Sequence, residues 1–301
     1  MTPKLTIAYF TGRKEPHFEW FWDSLRAQCA GSHPLVEALT VDFYADRRQL
    51  IPPGDGRNLA PKPTVWQGPH RLTKADYFAA ANARNTAIAA ARGDWIAFVD
   101  DLSVLAPTWL AAALEVVSGG YVSCGAYRKV KNLRVGGGKS ISFDDYPAGH
   151  DARWRYGSNE RAVPVLDNRW TYGCSLCAPI EAFLRINGYP EACDGMGYED
   201  SVIGGRLERA GYSLRYDQRM MTYESEEGHQ QGPVMLRDDP GVSPNDKSHA
   251  MIHRYANAST FDQPFGSLRG LRNAIQAGEP WPVPLGPTHE WFTGKPLSEL
   301  P

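Results

Sequence analysis

Apolar positions along the chain fall into short continuous runs that alternate with longer stretches at helix spacing. "KLTIAYF" at residues 4–10 is a short β-rich run. After it, Phe18, Phe21, Trp22 and Leu25 recur at helical spacing, and Gly31 offers a stop. "LVEALTVDFYA" predicts a second strand over residues 39–44. Residues 51–70 are rich in Pro and Gly and read as loop, with a short strand at 64–67. The clearest unit is "KADYFAAANARNTAIAAARGDWIAFVDD" at residues 74–101. It predicts an alanine-rich helix, a turn at Gly93 and Asp94, and a buried strand over 95–99 that ends in two aspartates. "APTWLAAALEVVSGG" predicts a further helix, with Pro107 near its first turn and Gly119 after its end. "YVSCGAYRKV" then reads as a strand.

Strands alternating with helices over about the first 130 residues predict a mostly parallel, doubly wound α/β sheet, in which ligands sit at the carboxyl ends of strands. Asp100 and Asp101 stand at such an end. Residues 131–170 break the pattern and read as a long insertion, either a binding surface or a variable loop. The pattern becomes compact again from Trp170, and "YSLRYDQRMMTYE" reads as one strand or two. Beyond about residue 231 the chain is rich in Pro, Gly and polar groups. It reads as an extension packed on the domain, with a short helix at 249–256. No internal repeat is present.

The chain has 301 residues, 42% hydrophobic and 22% charged, with a net charge of -2. That is an ordinary globular mix with no basic surplus for a nucleic-acid backbone. There is no apolar run of about 18 residues and no signal-peptide core, so a cytoplasmic location is expected. Five cysteines, an odd number at low density, exclude a disulfide scaffold. Cys174 and Cys177 form a C-x-x-C without the further ligands of a zinc site, and read as a redox dithiol or as buried thiols.

Two stretches carry candidate chemistry. Adjacent carboxylates at a strand end, Asp100 and Asp101, suit a divalent cation or a ribose hydroxyl, or else a turn or helix cap. "NGYPEACDGMGYEDSVIGGRLERAGY" at 187–212 runs a glycine-rich loop into Glu199 and Asp200 at the mouth of a helix. Capping explains an acid there. It does not explain Gly204 and Gly205 inside the helix, each costing about 1 kcal/mol relative to alanine. Glycines at that position predict close approach of another backbone or a ligand. "VGGGKS" is not a phosphate loop, since Leu133 stands where its first glycine is required. The basic positions Arg128, Lys129, Lys131, Arg134 and Lys139 could grip an acidic acceptor or face solvent.

The run "NARNTAIAAARGDWIAFVDD…APTWL" resembles the donor half of family 2 glycosyltransferases, where a similar run leads to a D-x-D metal site. "LCAPIEAFLRINGYPEACDGMGYEDSVIGGRLERAGY" is similar to the G-x-G-x-E-D acceptor segment of galactosyltransferase-type and chondroitin-polymerase-type enzymes. The resemblance spans roughly residues 4–230. It implies a GT-A fold, with a donor half at about 1–130, an acceptor half at about 131–230, and residues 231–301 as a C-terminal extension. It further implies an inverting transferase that uses a nucleotide sugar, usually of UDP, and commonly Mn2+ or Mg2+. Asp200 matches the catalytic base and Glu199 the preceding acid. The implied donor set is Thr11, Arg13, Asp42, Arg84, Asn85, Asp100 and Asp101. Trp170, Tyr172, Gly197 and Tyr198 form the acceptor set, and Asp101 with His229 the metal set. Leu102 occupies the third D-x-D position, where leucine cannot coordinate a cation, and this weakens the metal expectation. The Q-x-x-R-W motif of processive synthases is missing, so transfer of a single sugar is expected. The acceptor is left open among a glycan, a lipid-linked sugar and a modified nucleic acid. A binding module on the same fold, without turnover, is the competing reading. A nucleotidyltransferase ranks lower, because "YFTGRKEPH" lacks a glycine-rich phosphate loop.

Overall fold

The computed structural model describes residues 4–29, 36–45, 47–50, 56–62, 79–136, 140–194, 198–229 and 267–280. Its centre is a sheet built from ten strands among those residues. They are β1 (Leu5–Thr11), β2 (Val36–Asp42), β3 (Arg57–Leu59), β4 (Trp95–Asp100), β5 (Ser103–Leu105), β6 (Val122–Gly136), β7 (Ser140–Asp144), β8 (Val163–Pro164), β9 (Cys177–Pro179) and β10 (Leu214–Ser225). The order across the sheet is β3-β2-β1-β4-β9-β6-β10-β5, with β7 beside β6 and β8 beside β10. β3, β2, β1 and β4 are parallel, and so are β6 and β10. β9 runs antiparallel between the two groups.

Seven α-helices flank this sheet among the described residues: α1 (Phe18–Cys29), α2 (Ala80–Ala90), α3 (Trp109–Gly119), α4 (Ile180–Arg185), α5 (Glu199–Arg209), the single turn α6 (Glu226–His229), and α7 (Leu268–Gln276). Alternation along the strands sends side chains to two cores. Ala8, Phe10, Ile96 and Phe98 face α2, α4, α5 and α7, in a core with Ile88, Phe183, Ile203 and Leu268. Leu5, Ile7, Tyr9, Ala97 and Val99 face α1 and α3, packing on Phe21, Leu25, Trp109 and Val116. Both faces of β1 are covered, and all seven of its residues are buried. That is the continuous apolar pattern expected of a parallel central strand. No helix among the described residues is long and apolar enough to cross a membrane.

Several boundaries differ from the sequence expectation. β2 spans Val36–Asp42 rather than 39–44, because its register with β1 runs from Leu5↔Val36 to Thr11↔Asp42 and the chain then turns. α3 includes Gly119, and its left-handed end is Gly120 at φ 68. The largest correction concerns residues 131–170. β6 continues to Gly136 and pairs with β7 as a hairpin, so irregular structure begins only near residue 145. A register shift between Lys131 and Arg134, with Asn132 at φ 50, puts buried Val130 and Leu133 three positions apart and hides the strand's alternation. In the Pro- and Gly-rich stretch, the strand present among the described residues is Arg57–Leu59. The expected strand at 64–67, the stop at Gly31 and the helix at 249–256 lie outside the described residues. Of the C-terminal extension, α7 packs against α2.

Candidate active site

β1 and β4 deliver Thr11 and Asp100 to the same carboxyl edge of the sheet, and α5 presents Glu199 and Asp200 beside it. Arg84, the fifth residue of fully buried α2, joins the two. Its guanidinium bonds Glu199 Oε1 on one side and Asp100 Oδ1, at 3.1 Å, on the other. Phe10 and Tyr189 rings pack on it, with the guanidinium carbon 4.6 Å and 5.3 Å from their centroids. Gly173 is required at its position, since an added Cβ would lie 1.9 Å from Arg84 Nη2. Burial pushes the Glu199 carboxyl up to about 7, against the pull of Arg84 and with the push of Asp200. Desolvation likewise pushes Asp100 up to about 6, again opposed by Arg84.

Asp200 is held differently. Its Oδ2 accepts the Gly173 N–H at 3.1 Å and its Oδ1 the Ser201 N–H at 2.7 Å. The second bond is a capping-type contact that satisfies a free N–H of the helix's first turn. The first holds the carboxylate against the 171–173 segment. The residue before α5 is Tyr198, left-handed at φ 69 and without a side-chain cap bond. This left-handed residue turns the chain so that two acids enter the first helical turn side by side, where the helix dipole favours them.

The expectation that Gly204 and Gly205 admit another backbone holds for one of them. A Cβ on Gly204 would meet Asn168 O and Thr171 Oγ1, both at 2.3 Å. At Gly205 the nearest atom is Arg209 Nη2 at 3.7 Å.

The remaining predicted residues distribute as follows. Thr11, Arg13 and Asp101 converge: Thr11 Oγ1 donates to Asp101 Oδ2 at 2.8 Å and Arg13 Nε to Asp101 Oδ1 at 2.9 Å. Asp42 is buried in a two-point bond with Arg48, both contacts at 2.8 Å. Asn85 turns away from the site and clasps Tyr189 through its backbone N–H and C=O, and Glu191 through its carboxylate. The Trp170 ring lies tilted against Tyr156 with centroids 5.0 Å apart, while Tyr172 covers the Arg153 guanidinium at 4.2 Å. Gly197 lies outside the described residues. Within the basic stretch Arg128 pairs with Asp145 at 2.5 Å, and Lys131 sits 4.8 Å from the Tyr146 ring centroid. Cys174 and Cys177 are buried free thiols, each pushed up by burial, which opposes thiolate chemistry.

The expected Mn2+ or Mg2+ does not fit the donors present. Asp101 accepts from a hydroxyl at one oxygen and from the Arg13 guanidinium at the other, so a metal ion there would face a fixed positive charge. Leu102 is 1% exposed, at φ 60, with its side chain under Gly228. His229 Nε2 lies 3.3 Å from Glu224 Oε2. No group of three or more His, Cys, Asp or Glu side chains among the described residues could hold a metal ion.

Three residues that sequence reasoning missed position this site. Asp194 accepts the Ala81 and Asn82 N–H groups at 2.9 and 3.1 Å, capping α2. Arg272 of α7 donates to Ile88 O and Ala91 O at the other end, both at 2.7 Å. Lys62 is fully buried in an ion pair with Glu191. One signal was available: α2 begins after Ala79, which cannot cap, so its free N–H groups required a distant acceptor.

The comparisons place this architecture in a known fold class. Residues 72–182 match the family described as glycosyl transferase family 2. Two crystal structures of S. aureus TarS 1-349, in complex with UDP and with UDP-GlcNAc, share the fold. Each is 14% identical with a TM-score of 0.50, covering 85% of this chain and 67% and 68% of theirs. The chain spans 60% of the length of a further TarS 1-349 structure. No curated protein matches the sequence. The chain therefore has the GT-A fold, and residues 72–182 are similar to glycosyl transferase family 2.

Proposed function

We propose that this chain moves a single sugar from a nucleotide-diphosphate sugar, a UDP-sugar in the first instance, to an acceptor hydroxyl with inversion. The observation that carries the reading is Arg84, which ties Asp100 on the donor strand to Glu199 on the acceptor helix and so sets Asp200 beside the donor edge. Asp200 takes the acceptor's proton as that oxygen attacks the anomeric carbon. The bond between that carbon and the phosphate oxygen breaks, and the nucleoside diphosphate leaves with the electron pair from the opposite face. Each Asp200 oxygen accepts one backbone N–H, which leaves a further lone pair for the proton. Glu199 and Arg84 fix the helix mouth. TarS, whose fold is similar, is seen with UDP and with UDP-GlcNAc, which supports UDP as the first donor nucleotide to try. Glycans, lipid-linked sugars and modified nucleic acids are the acceptor classes to test with it.

The test is a donor screen by thermal shift with UDP-, GDP-, CMP- and dTDP-sugars, followed by turnover with Asp200→Asn. Loss of the base should lower the rate about 10²- to 10⁴-fold with donor binding kept. A folded Asp200→Asn protein with near-normal turnover would remove Asp200 from this role. Donor binding with no turnover in the wild type, across acceptors of all three classes, would favour the binding-module reading that Leu102 first suggested.

A further inference from the structure

At the donor edge a cation is already in place. Arg13 follows β1, and its side chain is only 10% exposed. Its Nε donates to Asp101 Oδ1 at 2.9 Å and its Nη1 to Gly228 O at 2.7 Å. Its backbone is equally constrained. The Arg13 N–H donates to Thr11 Oγ1 at 3.1 Å, and its carbonyl accepts from Arg48 Nη2 at 2.6 Å. Arg48 also bonds the Lys14 carbonyl and is itself anchored by buried Asp42. Nη2 of Arg13 has no partner among the described residues. The result is a preorganised guanidinium at the carboxyl edge of a parallel sheet, where phosphates of bound nucleotides collect.

The same contacts remove the means of holding a metal there. Both oxygens of Asp101 accept a bond, from Thr11 and from Arg13, and the Arg13 guanidinium already holds the cation's place beside them. Leu102 is locked inward: its carbonyl accepts the Ser225 N–H at 3.3 Å, and a Cβ on Gly228 would meet its Cδ1 at 2.6 Å. A loop shift that freed Asp101 for a cation would break these bonds together and leave the Arg13 charge beside the incoming ion.

We infer that Arg13 meets the donor's diphosphate in place of a divalent cation, so that this chain binds its nucleotide without metal. The inference rests on the nucleotide-sugar reading above. A guanidinium suits the task, because it carries several N–H donors on one rigid plane and cannot lose its proton. With Nε and Nη1 pinned by protein, Nη2 is the donor left for the phosphate. Its hydrogen bonds strengthen as negative charge builds on the leaving diphosphate, which makes it a stabiliser of the departing group.

The experiment is calorimetric titration of UDP into the full chain, in EDTA and in Mn2+, with electron paramagnetic resonance to count protein-bound Mn2+. The expected result is a Kd that differs by less than about threefold between the two conditions, with no stoichiometric protein-bound Mn2+. Arg13→Lys, which keeps the charge and loses the fork, should weaken UDP by about tenfold or more, with Mn2+ giving no rescue. A larger dependence on Mn2+, with a bound-ion signal that Asp101→Asn abolishes, overturns the inference and leaves the transferase reading standing. Failure of UDP, GDP, CDP and dTDP to bind in either condition overturns the donor reading itself, and this inference with it.

Discussion

Gly204 and Gly205 are neighbours on α5 and face different surroundings, so alanine at each should act in opposite directions. A Cβ on Gly204 would lie 2.3 Å from Asn168 O, 2.3 Å from Thr171 Oγ1 and 2.6 Å from Thr171 Cβ. Ordinary contacts are roughly 1 Å longer, and a backbone carbonyl cannot swing aside as a side-chain tip can. The helix and the 168–171 turn must separate, an overpacking cost of about 1–3 kcal/mol. Alanine's helix preference returns about 1 kcal/mol. At Gly205 the nearest atoms are the Arg209 guanidinium nitrogens at 3.7 and 3.8 Å, an ordinary contact, so the gain of about 1 kcal/mol stands alone. Gly204→Ala should therefore be less stable than Gly205→Ala by about 1–3 kcal/mol in urea titrations. The melting temperatures should differ by roughly 2–12 °C. The same separation should draw the Gly173 N–H away from Asp200, so Gly204→Ala also loses turnover. If Gly204→Ala equals or exceeds Gly205→Ala in stability, the close approach that seats Asp200 is not present.

The buried carboxylates give two further predictions. Glu199 and Asp100 titrate higher in the fold than in the unfolded chain, where such acids ionise near pH 4, so between about pH 4 and 7 the folded state holds more protons. Stability should then fall as pH rises through that window, and Glu199→Gln should flatten the slope; a wild-type Tm that climbs from pH 5 to 7 relative to Glu199→Gln contradicts the assignment. Arg84→Met leaves both acids buried without their cation and should cost about 3–5 kcal/mol at pH 8 and visibly less at pH 5.5, where protons replace the guanidinium. A loss in urea unfolding that is the same at both pH values would mean that Arg84 acts by packing alone.

Much of the fold was readable because local pattern and final environment agree. β1 and β4 read as nearly continuous apolar runs because both faces are covered, and turn residues mark their ends. Legibility failed where tertiary contact overrules local pattern. The irregularity at Asn132 breaks the alternation of β6, and a hairpin reads as loop. Asn85 sits beside Arg84 in the same motif, yet helix geometry sends it to the Tyr189–Glu191 segment while Arg84 reaches the carboxylates. Spacing alone does not separate those outcomes. Nor does it show that Asp101 already has a guanidinium partner eighty-eight positions away in sequence.

The helix that carries Arg84 shows why the site needs the whole chain. α2 is almost all small residues, and its burial on every side lets it lie between the sheet and α7. It has no side-chain cap of its own, so its ends are completed from elsewhere. Asp194, four residues before Tyr198, supplies a carboxylate at the N-terminus. Arg272, from the C-terminal extension, supplies a guanidinium at the C-terminus. Each charge has the sign that the helix dipole favours at its end. Asn85, and Lys62 through its backbone bonds to Thr86 and Asn82 and its ion pair with Glu191, then fasten the same helix to the Tyr189–Glu191 segment. Arg84 is thus set between Asp100 and Glu199 by contacts on both sides of it, and the 189–194 segment is anchored to the helix whose arginine Glu199 meets. A change in either segment reaches the other through α2, which is how carboxylates so distant in sequence come to share one guanidinium.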